Sequence, residues 1–146
     1  MSALETFDRE LSQHDGDRQD SWYDSGVAFV GQLAADLAAE DLMALGDLWP
    51  TRSAPWQKHC AEVLDRARHT ETIVVLLGMV ERGLPDVALS ALESLREFDP
   101  ALFTDEQRQR TLGFLEAMQD KPVGKLHHLV LGKFLAQMRA RERDGD

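Results

Sequence analysis

Cys60 is the one thiol of the chain, and the histidines stand at 14, 59, 69, 127 and 128. These are the residues whose types could supply a nucleophile or a metal site. Cys60 lies four residues from both Trp56 and Leu64, so a helix places all three on one apolar stripe. That setting suits a small core residue better than a nucleophile. His127 and His128 point about 100° apart around a helix, so one ion cannot take both with ideal geometry. No Cys-x-x-Cys, His-x-x-x-His or His-Glu-x-x-His occurs, and those spacings are the ones that hold zinc. His14-Asp15-Gly16-Asp17 lacks the regular Asp spacing and closing Glu of an EF-hand. Ser90 and Ser94 stand in no Gly-x-Ser-x-Gly elbow. Gly113, Gly124 and Gly132 are isolated within helical stretches, so no phosphate-binding loop is present. The sequence reads as a binding protein with no catalytic residue, no metal and no cofactor.

Charge is the stronger signal. The first 49 residues carry eleven acids and two bases, Arg9 and Arg18, for a local −9 out of a whole-chain −10. Residues 50–100 carry −2 and residues 101–146 carry +1. A one-ended acidic surface attracts basic partners, speeds their encounter and repels nucleic acid. Trp22-Tyr23, between Asp20 and Asp24, joins aromatics to acids, a pairing that can anchor an arginine- or lysine-rich partner. Closing the core at the start of its helix is the favoured reading of Trp22, with Tyr23 the exposed one of the pair. The expected partner-binding set is Asp15, Asp17, Asp20, Trp22, Tyr23 and Asp24, with Asp36, Glu40, Asp41 and Asp47 as a second acidic row. The last helix is basic through Lys121, Lys125, Lys133, Arg139, Arg141 and Arg143, but Glu142, Asp144 and Asp146 interrupt it. Nucleic acid is not an expected partner. The basic end could pack on the acidic end of a second copy or be inert, so self-association stays open.

The elements that must carry these residues are helical almost throughout. Leu4, Phe7 and Leu11 predict a helix over 3–13, followed by a polar loop over 14–20. Ser21 is placed to cap a second helix bearing Val30, Leu33 and Leu37, with a break near Ala39-Glu40-Asp41. Leu42, Leu45, Leu48 and Trp49 continue until Pro50. Ser53 and Pro55 open the next helix, with Trp56, Cys60, Val63, Leu64 and Ala67 inward. Thr70 caps a helix that ends at Gly83, where a left-handed conformation is expected. Pro85 opens a helix with Val87, Ala91, Leu92, Leu95 and Phe98 inward. Thr104 and Gln107 form a capping box ahead of Leu112, Leu115 and Met118. Lys121-Pro122 turns into a last helix with Leu126, Leu129, Val130, Phe134 and Met138 inward, and the tail from about 139 frays. No stretch alternates with period two for long enough to make a strand.

The expected fold is all-α, about seven or eight helices in stacked antiparallel hairpins, forming one domain over 1–146. A chain of 146 residues with 43% hydrophobic content can bury a core without metal or disulfide. The single cysteine excludes an internal disulfide and fits a reducing compartment. The N-terminus has no signal-peptide pattern and no apolar run spans a membrane, so no membrane partner is expected and the expected address is cytoplasmic.

The segment 70–98 carries a more specific pattern. A helix with Ile73, Leu76, Leu77 and Val80 ends at Gly83, Leu84-Pro85-Asp86-Val87 turns, and Ala88-Leu89-Ser90-Ala91-Leu92-Glu93-Ser94-Leu95 follows. Proline fixes the first turn of the second helix, aspartate favours its positive end and valine fills the hairpin. This hairpin resembles a HEAT repeat, and covers about a fifth of the chain. Small acidic HEAT-like chains, with stretches such as Trp56-Gln57-Lys58-His59-Cys60-Ala61-Glu62-Val63-Leu64, resemble immunity proteins of bacterial polymorphic-toxin and contact-dependent growth inhibition systems. The resemblance implies a cognate toxin domain as partner, often a basic nuclease, blocked by occlusion. A helical-repeat adaptor without a toxin partner is the alternative. A HEAT-like DNA glycosylase would need a cationic groove, which a net −10 opposes.

Overall fold

The computed structural model describes residues 2–14, 21–121 and 123–144. The described residues form an all-α fold with no strand. Its α-helices are α1 (Ala3–Ser12), α2 (Val27–Ala35), α3 (Ala39–Leu48), α4 (Ala54–Val63), α5 (Thr70–Arg82), α6 (Pro85–Leu95), α7 (Asp105–Gln119) and α8 (Lys125–Asp144). None is long and apolar enough to cross a membrane. Contacts divide the chain into two compact units, Met1–Leu95 and Arg96–Asp146.

In the first unit, Ser2 caps α1 by accepting from the Glu5 amide at 3.1 Å. Phe7 and Leu11 are the buried face of that helix. A π-helical turn, Trp22–Gly26, leads into α2. Ser21 makes no side-chain cap bond there, contrary to expectation. The break falls at Leu37 and Ala38, two residues before the expected place, because Asp41 turns back to accept from the Ala38 amide at 2.9 Å. A short turn, Trp49–Thr51, absorbs Pro50. Ser53 opens α4 as expected, accepting from the Trp56 amide at 3.3 Å, and Trp56, Cys60, Val63, Leu64 and Ala67 are all buried. Burying one such side chain contributes about 1.5–3 kcal/mol. His69, not Thr70, is the cap position of α5.

The hairpin of α5 and α6 is the most closely packed pair, with α4 against α6 and α3 against α5. Such neighbour-but-one contacts are what stacking of hairpins requires. Ser94 ties the layers by donating to the Ala61 carbonyl. Gly83 is not left-handed: its φ is −79° and its ψ 161°. Space is what selects glycine there. A Cβ would lie 2.4 Å from the Met79 carbonyl oxygen and 3.0 Å from Val87 Cγ1.

In the second unit, a turn at Pro100–Leu102 is capped by Asp99. The expected capping box opens α7: the Gln107 amide donates to Thr104 Oγ1 at 3.1 Å and the Thr104 amide to Gln107 Oε1 at 2.9 Å. The pair α7 and α8 buries Leu115, Met118, Leu131, Phe134, Leu135 and Met138. Arg108, almost fully buried, donates to the Phe103 carbonyl at 2.9 Å and pairs with Asp105. One expectation fails here: Leu126 and Leu129 are outside the core. The helix α8 runs to Asp144. Arg139 and Glu116, 3.3 Å apart, help hold that final stretch.

Candidate partner interface

Trp22 is a core residue with no accessible surface, as its reading as the residue that closes the core expects. Its ring stacks on His59 with centroids 4.2 Å apart and meets His14 edge-on at 5.4 Å. Gly26 makes the room: a Cβ there would lie 2.7 Å from His14 Cε1 and 3.0 Å from Trp22 Cε3. The indole N–H of Trp22 donates to Glu62 Oε2 at 3.3 Å. Tyr23, 54% exposed, points its hydroxyl at Glu62 Oε1 at 3.5 Å. Burial pushes the Glu62 carboxyl above its ordinary range, against the pull of the Trp22 hydrogen bond. Tyr23 is also raised, by burial and then by the Glu62 charge. Of the expected aromatic pair, only Tyr23 is available to a partner.

A second carboxylate is occupied internally. Asp8 receives Arg52 through Nη2 at 2.6 Å and Nε at 2.9 Å, and the Trp56 indole N–H at 3.1 Å. The Arg52 hydrogen bond holds the Asp8 carboxyl below its ordinary value. Glu10 pairs with Arg9, and Asp41 is spent on its cap. Asp41, half-buried, keeps its charge in the acidic row while its carboxylate holds the entry to α3.

The remaining described acids of this end are Glu5, Asp24, Asp36, Glu40 and Asp47. All five are exposed, and none is in an ion pair among the described residues. Asp15, Asp17 and Asp20 lie outside the described residues. Asp24 stands at the π turn and Asp36 just after α2, roughly 18 Å apart along the helical run at 1.5 Å per residue. Glu40 and Asp47, seven residues apart, share one face of α3. The carboxylates are thus spread over α1, the π turn, the end of α2 and α3, and do not make one cluster in the chain. Sequence reasoning missed Glu62 as the anchor of Trp22 and Tyr23, because forty positions separate Trp22 from Glu62.

Cys60 is fully buried, and burial drives its thiol far above the ordinary range. No group of three or more His, Cys, Asp or Glu suited to a metal occurs among the described residues. Comparison with protein-family models, with curated proteins and with solved structures gave no match.

Proposed function

We propose that this chain is a non-enzymatic, cytoplasmic immunity-type inhibitor that binds a basic toxin domain, of nuclease type, and occludes it. The observation that carries the reading is the set of five exposed carboxylates with no cationic partner among the described residues, on a chain of net charge −10. A folded protein gains little stability from such a field and gains much in encounter rate with a cation-rich surface. A nuclease groove that accepts polyphosphate presents that kind of surface. Tyr23 supplies an exposed aromatic next to Asp24 for stacking on arginine. Charge pairs desolvated at the centre of the contact contribute several kcal/mol, and those at the rim mainly set the association rate. The test is to co-purify the chain with the product of the adjacent upstream gene and assay that product's toxicity. A stable complex with protection is expected; no complex and no protection overturns the reading.

A further inference from the structure

A groove of about 210 Å³ runs between α3 and α5. Its walls include Met43 and Val74, which are 61% and 53% exposed. Its floor includes the buried Leu42 and Val75. Gly46 faces open space there: a Cβ at that position would meet nothing within 4 Å. Asp47 and Glu71 line it as acids, and Arg82, its guanidinium 5.1 Å over the Trp49 ring, lines it as a cation. Long apolar side chains left in water beside carboxylates suit a partner that is apolar in the middle and cationic at its edges.

The same chain carries a surface of that description. On α8, Leu126 is 69% exposed and Leu129 57% exposed. Lys125 and Lys133 are exposed as well, and neither is in an ion pair among the described residues. At 3.6 residues per turn these four positions fall within an arc of about 100°. Two leucines are flanked by two lysines; two apolar walls are flanked by two acids. We propose that this face of α8 in one copy docks in the α3–α5 groove of a second copy, with Leu126 and Leu129 against Met43 and Val74 and the lysines facing Asp47 and Glu71. The contact is heterologous, because groove and helix are different surfaces. It does not depend on the toxin reading.

Such a contact has a signature that a self-complementary one lacks. Met43→Glu blocks the groove and leaves α8 intact. Leu126→Glu with Leu129→Glu blocks α8 and leaves the groove intact. The mass of the full chain is measured by light scattering during size exclusion as concentration is raised. The wild type is expected to rise above the monomer's 16.4 kDa, and less so at high salt. Each variant alone is expected to stay monomeric, and a mixture of the two is expected to regain association, since it contains one good groove and one good helix. A wild type that stays monomeric at every concentration overturns the proposal. So does an oligomer that survives either variant, or a mixture that stays monomeric. Far-UV circular dichroism checks folding, and Asp47→Lys with Glu71→Lys is a second groove variant if Met43→Glu is disturbed.

Discussion

Asp8→Ala is expected to destabilise the first unit while leaving partner binding intact. The carboxylate receives a two-pronged guanidinium contact at 2.6 and 2.9 Å and an indole N–H at 3.1 Å. Trp56 is 1% exposed, so its orphaned N–H costs about 1–3 kcal/mol. The Asp8–Arg52 pair is partly exposed, with side chains at 23% and 32%, and is worth about 1 kcal/mol after solvent screening. Together the loss is about 2–4 kcal/mol, a fall in Tm of roughly 10 °C for a chain of this size. Urea unfolding followed by circular dichroism measures it, with Arg52→Ala and the double variant closing a cycle. The sign with pH follows from the lowered carboxyl: its stabilisation is present above the unfolded-state value and is lost as pH falls through the folded one. Wild type and Asp8→Ala should therefore converge in acid. A change below about 0.5 kcal/mol, in the range of ordinary surface substitutions, or a stability gap independent of pH, would refute this account of Asp8.

Glu62→Gln keeps an acceptor for Trp22 and removes the charge. The wild-type carboxyl is raised by burial, so native protein holds its proton longer than unfolded protein and stability falls as pH rises through the carboxylate range. The variant should have a higher Tm than wild type at neutral pH and a smaller difference in acid; thermal melts at several pH values decide it. Gly83→Ala places a Cβ 2.4 Å from a backbone oxygen and should cost about 1–3 kcal/mol. By contrast Gly113→Ala, inside α7 with nothing within 4 Å of the new Cβ, should stabilise by about 0.5–1 kcal/mol. Urea midpoints that rank these two glycine variants the other way would contradict the packing described.

Helix existence was legible because apolar residues recur at helical spacing, and the clearest starts joined two local signals. Ser53 with Pro55, and Thr104 with Gln107, behave as their side-chain chemistry predicts. Single hydroxyls did not suffice: Ser21 and Thr70 do not cap. Glycine at a helix end signalled the turn at 83, but a close contact was the cause in place of a left-handed backbone. On α8 the apolar residues wrap more than one stripe, so spacing alone did not separate the buried Leu131, Phe134, Leu135 and Met138 from the exposed Leu126 and Leu129. The acidic end was plain from composition. Which acids are spent internally was not, because Asp8 finds Arg52 and Trp56 forty-four and forty-eight positions away.

In the proposed function, the exposed carboxylates of the N-terminal half draw in a basic partner. Stopped-flow association of the adjacent-gene product with wild type and with the combined variant Asp24→Lys, Asp36→Lys, Glu40→Lys and Asp47→Lys tests it directly. The variant is expected to fold normally, to associate about tenfold or more slowly at low salt, and to lose most of the wild type's salt dependence. A folded variant that associates as fast as wild type, with the same response to salt, would contradict it.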